Sequence, residues 1–180
     1  LEFGENDVRI NQVRRNLEQE KKFVTAIKKL GLHNPEASYF TVPDKGADPF
    51  HLLDWLLTHR EELNQLGFKV VPVQLEEKKV YLAKAHLSLH SERINDWFDI
   101  YGDIQIGEFS IPFLALARNI REENRFYPLP NGEFFVIPLE WMEKFRALMQ
   151  FGRKEGQALR LNKSQYTLVD ELGIAQKSGA

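Results

Sequence analysis

A succession of apolar segments broken by short turns fills the second half of the chain, and this pattern constrains the fold more than any other feature. Three aromatic-rich blocks follow one another at residues 96–100, 106–113 and 126–138. Each block has the pattern of strand, tight turn and strand, and each is followed by an amphipathic helix. Elements of this kind must bury an apolar face, so the blocks predict a packed scaffold and not a catalytic constellation.

The central block also predicts a strand register. If residues 107–108 form a two-residue loop, with glycine first as a type II′ turn requires, Ile106 pairs with Phe109 and Ile104 pairs with Ile111. These four apolar side chains then share one face, whereas a one-residue slip would divide them between two faces. We therefore expect this hairpin in the stated register.

The third block and its helix are unusually aromatic. A turn at 130–132 joins two strands, and Pro128 places the first of them at a sheet edge because proline donates no ladder hydrogen bond. The hairpin is apolar on both faces, so it is either sandwiched within the fold or docks one face onto another domain. We expect Trp97 in the core on a sheet face, and Trp141 on the inward side of a helix that begins at Pro138.

A long helix is predicted near the start of the chain. Apolar residues at three- and four-residue spacing indicate a helix over 7–30, capped by Asn6 or Asp7 and ended by Gly31. The segment that follows predicts, in order, a turn at 33–35 and a short strand at 38–42.

A second helix has clear start and stop signals, with Asp48 as N-cap, Pro49 in the first turn and Gly67 after the end. Its predicted apolar face consists of Leu52, Leu53, Leu56, Leu63 and Leu66. Two strands are then expected at 68–75 and 79–90. The second alternates between apolar and polar residues, which is typical of a strand with one buried face.

Together these elements predict an α+β fold, with an N-terminal helical portion and a mainly antiparallel sheet that carries amphipathic helices. A chain of 180 residues with 43% hydrophobic content can form one domain or two small lobes. We place a helical portion at 1–67 and a hairpin-rich α+β portion at 68–180, with one continuous domain as the alternative. The start at Leu1 and the small polar tail at 177–180 are typical of a segment excised from a longer protein.

Composition excludes several classes of function. The chain has no cysteine, so it has no disulfide, no thiolate metal site and no cysteine nucleophile. Neither Gly-x-x-x-x-Gly-Lys-Ser/Thr nor Gly-x-Gly-x-x-Gly occurs, so no phosphate-binding loop is predicted. No window approaches the roughly 18 apolar residues that span a bilayer, and no signal sequence is present. We expect a soluble, cytoplasmic protein with no membrane contact.

Polar side chains that could suggest catalysis have simpler interpretations. His86 and His90 lie on one face of a predicted strand about 13 Å apart, too far to share a zinc ion bound at roughly 2 Å. His51 and Asp54 stand one helical turn apart with no nucleophile placed beside them. Acidic residues near strand ends and turns are usually solvated or capping, and this set comprises Asp96, Asp99 and Asp103. We predict no catalytic, cofactor-binding or metal-binding residue.

Cations recur with a seven-residue period on the first predicted helix. The ridge that they form consists of Arg14, Arg15, Lys21, Lys22, Lys28 and Lys29. At 1.5 Å per residue the ridge is roughly 22 Å long, and it could follow a phosphate backbone with a salt-dependent affinity. An ordinary solvated helix face and a docking surface for an acidic partner are the alternatives. No aromatic residue lies between these cations, so base stacking on the ridge is not expected.

The order of the blocks resembles the helicase-associated region upstream of the motor in bacterial Swi/Snf-family ATPases. The resemblance covers roughly residues 68–172, and the matching segments are 96–99, the turn at 106–107 with its following helix, 129–132, 138–141 and 159–161. These are structural motifs, so the resemblance implies no active site within this chain.

What the resemblance implies is a non-catalytic accessory module that positions a helicase-like DNA translocase or extends its DNA or protein contacts. Its expected partners are the ATPase motor domain of the same parent chain and, weakly and without sequence preference, DNA. ATP and magnesium would bind only in that motor. The alternative is a stand-alone enzyme or small-ligand-binding protein of an unrecognised family, with Lys84, His86 and His90 lining a cleft.

Overall fold

The structure, a computed structural model, describes residues 14–36, 39–43, 48–71 and 73–176. The chain separates into two compact units, one up to Lys69 and one from Val70. Helices accompany mainly antiparallel sheets, so the predicted α+β class is confirmed.

The first unit contains helices and a short hairpin. In chain order its elements are α1 (Leu17–Lys29), β1 (His33–Glu36), β2 (Tyr39–Thr41) and α2 (Pro49–Gln65). The Asp48 carboxylate caps α2 by accepting a hydrogen bond from the Phe50 amide at 2.9 Å, and Gly67 follows the helix with a φ of 86°. Both ends lie where the sequence predicts them, because N-cap, proline and glycine preferences act locally.

Helix α1 does not include residues 14–16, which the prediction placed inside it. Its N-cap is Asn16, whose side chain accepts a hydrogen bond from the Gln19 amide at 3.1 Å. The predicted caps, Asn6 and Asp7, lie outside the described residues. The predicted C-terminal end is confirmed, since Gly31 adopts a φ of 94° directly after the last turn.

The predicted turn at 33–35 is wrong, because this segment forms β1. The strand pairs antiparallel with β2, with His33 opposite Thr41. The Asn34 side chain also donates a hydrogen bond to the Tyr39 carbonyl at 2.9 Å. Asparagine and proline favour turns locally, but pairing with β2 satisfies the backbone in the extended form.

A small apolar core holds the first unit together. Edge-to-face packing of Phe23 against Phe68, with ring centroids 5.0 Å apart, joins α1 to the segment after α2. The Trp55 indole donates a hydrogen bond to the Leu30 carbonyl at 2.7 Å, which ties α2 to the end of α1. The buried side chains of this core are Leu32, Leu53 and Leu63.

The apolar face of α2 is narrower than predicted. Leu53 and Leu63 are buried, but Leu52 and Leu66 are 41% and 43% exposed. The spacing of the leucines is compatible with one helix face, but the few elements of this unit cover only part of that face. Leu66 therefore remains as apolar surface beside α1.

The second unit is built from hairpins and short helices. Its strands are β3 (Val73–Leu75), β4 (Lys78–Val80), β5 (Ala85–Ile94), β6 (Trp97–Ile106), β7 (Phe109–Pro112), β8 (Phe126–Pro128), β9 (Phe134–Val136), β10 (Arg153–Glu155), β11 (Ala158–Asn162) and β12 (Ala175–Gln176). Its helices are α3 (Ala117–Arg121), α4 (Leu139–Phe151) and α5 (Tyr166–Glu171), with 3-10 turns at Phe113–Leu116 and Lys163–Gln165.

These strands form two sheets. One has the order β3-β4-β9-β8, and the other has the order β10-β11-β6-β5-β12 with β7 also paired to β6. All pairs are antiparallel except β4 with β9 and β5 with β12. Strand β6 has the largest number of partners, since it pairs with β5, β7 and β11.

The strand predicted over 79–90 is two strands that belong to different sheets. Strand β4 ends at Val80, and β5 begins at Ala85. A tight turn at 76–77, with φ angles of 49° and 64°, joins β3 to β4. The predicted alternation is confirmed over the first half of β5: Ala85, Leu87 and Leu89 pack against the core, and His86 and Ser88 are exposed.

The predicted register of the β6–β7 hairpin is confirmed. Ile106 lies opposite Phe109, and Ile104 lies opposite Ile111. Three of these side chains are buried and Phe109 is half-buried against the same core. Gly107 has a φ of 57°, which an L-amino acid adopts only with strain.

The apolar β8–β9 hairpin is sandwiched within the second unit, which was one of the two predicted arrangements. Phe126, Phe135 and Val136 are all buried although they belong to both faces of the hairpin. Strand β8 lies at the edge of its sheet, as Pro128 predicts.

Helix α4 covers the core, as predicted. Phe145 and Leu148 are buried, and the Phe145 ring packs edge-to-face on Phe113 with centroids 5.0 Å apart. Trp141 is only partly buried and contacts Phe135 at a centroid distance of 6.1 Å. The indole therefore borders the core instead of filling it.

Trp97 is not a core residue, contrary to the prediction. It is 40% exposed, whereas its neighbour Phe98 is 3% exposed. Trp97 lies opposite Ile94 in the pair that closes the β5–β6 turn, and Ile94 is also exposed. Alternation along β6 directs Phe98 and Ile100 toward the core and Trp97 away from it.

Replacing Phe98 with alanine should destabilise the protein by about 3–5 kcal/mol, since it removes a buried aromatic ring and leaves a cavity. Trp97→Ala is the matched control one position away and should cost roughly 1 kcal/mol, because much of the indole is already hydrated. Urea unfolding followed by circular dichroism gives both values. A larger loss for Trp97→Ala would contradict this strand register.

A buried ion pair joins β6 to β11. Arg160 lies opposite Asp99 in the antiparallel register, and its Nε and Nη2 atoms each donate to the carboxylate at 2.7 Å. The Asp99 side chain is 3% exposed and that of Arg160 is 30% exposed. Hydrogen bonding to Asp99 raises the pKa of Arg160 above its usual range, despite the opposing effect of burial. The geometry is the bidentate form that gives the strongest side-chain pairs.

The two ends of this pair should respond differently to removal. Arg160→Leu leaves a buried carboxylate without its counter-ion, whereas after Asp99→Leu the guanidinium still reaches water. We expect a lower urea midpoint for Arg160→Leu than for Asp99→Leu, and partial recovery in the double variant. Equal midpoints for the single variants, or additive losses in the double variant, would show that the pair contributes little.

Candidate functional site

Four exposed lysines form two rows on α1. Lys21 and Lys28 are seven residues apart and align along the helix, and Lys22 and Lys29 form a parallel row beside them. At 1.5 Å per residue each row is about 10 Å long. We refer to these four side chains as the lysine face.

Arg14 and Arg15 are not part of this face. Both precede Asn16, the N-cap of α1, so the cationic surface on the helix is about 12 Å long instead of about 22 Å. The Arg15 guanidinium donates to the Glu20 carboxylate, with a distance of 2.9 Å from Nε to Oε1. This hydrogen bond lowers the pKa of Glu20 and raises that of Arg15. Arg15 is therefore engaged within the helix start.

The charges of the lysine face are weakly compensated. Glu18 Oε1 lies 3.8 Å from Lys21 Nζ, and both side chains are exposed, so water and salt screen the pair. Among the described residues, no carboxylate forms an ion pair with Lys22, Lys28 or Lys29. These lysines can therefore accept an external anion at little cost.

Grooves run beside the lysine face and have apolar walls. One, of about 530 Å³, lies toward the end of α1 and is lined by Lys22, Lys29, Ala26 and Leu66 among others. A second, of about 460 Å³, shares Lys22, Ala26 and Leu66 and extends toward Phe23. Exposed Leu66 thus places apolar surface next to the cations. The surface can hold phosphates along the lysine rows, or an acidic segment that also presents apolar side chains.

The histidines considered as metal ligands are either exposed or in contact with a neighbouring side chain. His86 is exposed, and the His90 ring stacks on Tyr101 with centroids 5.3 Å apart. His51 Nδ1 lies 3.4 Å from Asp48 Oδ2 at the start of α2. Within the described ranges, no group of three or more histidine, cysteine, aspartate or glutamate side chains could hold a metal ion.

Sequence reasoning missed two features of the second unit. Asp99 was expected to be solvated or capping, but it is buried against Arg160. Arg93, Lys163 and Tyr166 meet at one end of the six-stranded sheet and line a cleft. The sequence Asn162-Lys163-Ser164-Gln165 has the pattern of a capping box and predicts the turn that carries Lys163. The hydrogen bonds of the Asn162 and Gln165 side chains confirm it. The position of Arg93 beside Lys163 and Tyr166 depends on strand pairing, which no local sequence signal predicts.

Within the part of the chain that the structure describes, no helix has both the length and the apolar character needed to span a bilayer.

Comparison with known proteins identifies no relative: no protein family matches the chain, and no curated protein or solved structure is significantly similar to it.

Proposed function

We propose that this chain is a non-catalytic accessory module of a bacterial Swi/Snf-type DNA-dependent ATPase, and that the lysine face is its contact with the DNA backbone. The observation that carries the proposal is the double row of weakly compensated lysines on α1. One strand of duplex DNA presents a phosphate about every 3.4 Å of helix axis, so a row about 10 Å long spans roughly three phosphates.

The arrangement of the segments that resemble the helicase-associated region supports the accessory role. The block at 96–99 lies in β6, and the block at 159–161 lies in β11, which is paired to it. The Asp99–Arg160 ion pair connects the two. Because these residues form a sheet and its core, the resemblance is carried by scaffold, and the ATP and magnesium sites are assigned to the motor domain of the parent chain.

The predicted interaction is weak and independent of sequence. The chain has a formal net charge of -2, so the long-range attraction to DNA is local to α1. Contacts from lysine to phosphate position a protein on the duplex but do not read bases. An acidic surface of the motor domain would use the same cations, so DNA and the motor are the two partners that the lysine face fits.

The DNA contact is tested by replacing Lys21, Lys22, Lys28 and Lys29 together with glutamine. We expect loss of binding to a labelled duplex in fluorescence anisotropy, and a flatter dependence of affinity on salt. The physical reason is that each lost phosphate contact removes about one unit from the slope of log K against log salt.

A second quadruple variant serves as the control, because it removes the same number of positive charges from exposed positions of the second unit. Its substitutions are Arg118→Gln, Lys144→Gln, Arg153→Gln and Lys154→Gln. This control should retain the wild-type affinity and salt slope. Equal effects of the two variants would mean that net charge, and not the lysine face, determines binding. If the wild type does not bind the duplex at low salt, the proposed DNA contact is wrong.

The purified chain should show no ATP hydrolysis with or without DNA, since the sequence contains no phosphate-binding loop. A coupled assay of phosphate release measures this. Turnover that survives repurification and co-elutes with the chain would overturn the non-catalytic role.

A further inference from the structure

A cleft of about 440 Å³ opens at the end of the β5–β6 hairpin and is lined by Arg93, Phe98, Lys163 and Tyr166. Arg93 lies opposite Phe98 in the antiparallel register, so both side chains are on the same sheet face. The backbone amide of Lys163 donates to the Asp96 carbonyl at 2.8 Å and fixes the turn before α5 against the hairpin. The cleft is therefore held by β5, β6 and the segment after β11.

Two cations border this cleft. Arg93 is exposed, and no carboxylate of the described residues forms an ion pair with it. Lys163 Nζ lies 3.8 Å from the Asp96 carboxylate, but both side chains are more than half exposed, so this pair is screened by water. An anion that enters between Arg93 and Lys163 replaces a weak contact and meets a second positive charge.

The floor of the cleft is aromatic. The Tyr166 ring packs on Phe98 with centroids 5.1 Å apart and an interplanar angle of 34°. Phe98 is buried, whereas Tyr166 is 40% exposed. Phe98 thus supports Tyr166 from the core side, and Tyr166 presents ring surface to the cleft at little further ordering cost.

We propose that this cleft binds a nucleotide, with a phosphate between Arg93 and Lys163 and an aromatic base stacked on Tyr166. Inorganic phosphate would use only the cations, and an apolar ligand would use only the ring, whereas a nucleotide uses both. The cleft volume is within the range of about 300–1,000 Å³ of small-molecule sites. A free mononucleotide and a nucleotide within single-stranded DNA present the same chemistry. The site is independent of the lysine face and of the proposed accessory role.

The test is binding of a short labelled oligothymidylate, followed by anisotropy at low salt. The double variant Arg93→Gln/Lys163→Gln should weaken binding about tenfold or more, since it removes both charge-assisted contacts. Tyr166→Leu keeps an apolar side chain on Phe98 but removes the stacking surface, and should weaken binding to a similar extent. Because Arg93 and Lys163 are exposed, the double variant is expected to fold, which thermal unfolding by circular dichroism checks.

Two controls separate this site from the lysine face and from general charge. In the background of the quadruple lysine variant, Arg93→Gln/Lys163→Gln should still weaken binding of the oligonucleotide about tenfold or more, whereas Arg118→Gln/Lys154→Gln, which removes two exposed cations elsewhere, should not weaken it further. Displacement by thymidine monophosphate would identify a free nucleotide as the ligand, and binding of the oligonucleotide alone would identify a single strand. Unchanged affinity of Arg93→Gln/Lys163→Gln, equal displacement by inorganic phosphate, or no binding by the wild type would each overturn the proposal.

Discussion

The ion pair between Asp99 and Arg160 determines where β11 joins the central strand of the second unit. Because the pair is bidentate and Asp99 is buried, a shift of β11 by one residue would leave a carboxylate in the interior without its counter-ion. The observed register also places Leu159 and Leu161 in the core, both fully buried. Charge and apolar burial therefore favour the same alignment. The turn before α5 follows directly from β11, so the position of the cleft depends on this alignment as well.

Local signals in the sequence predicted much of the fold. The caps of α2, the β6–β7 register and the capping box at 162–165 are each set by a few adjacent residues, and all are confirmed. The errors arose where strand pairing determines the structure. The segment 33–35 pairs with β2, and the strand predicted at 79–90 divides between two sheets. Strand β12 was not predicted, because its pairing partner β5 is remote in sequence. Strand β10 pairs with the adjacent β11, but its three residues are charged and exposed and carry no apolar pattern.

Trp97 shows that size is a poorer guide to burial than alternation. The predicted hairpin register places Ile104 and Ile106 on the core face, and a period of two extends that face to Phe98. Following the period would have placed Trp97 on the opposite face with Asp99, as the structure does. The large indole suggested the core instead. The lysines of α1 were predictable because their spacing is helical, but Arg14 and Arg15 were misplaced since Asn16 begins the helix after them.

Both surfaces proposed to bind nucleic acid use chemistry that does not read sequence. Lysine–phosphate contacts depend on the charge of the backbone, and stacking on Tyr166 accepts any base because every base has a π-face. Base-specific readout needs hydrogen-bond donors and acceptors aimed at base edges, and the cleft residues Arg93, Lys163 and Tyr166 are accounted for by phosphate and ring contacts. The accessory role that we propose requires contacts that tolerate every sequence a translocase motor crosses. Contacts limited to backbone charge and base stacking meet that requirement, because their free energy changes little from one base step to the next.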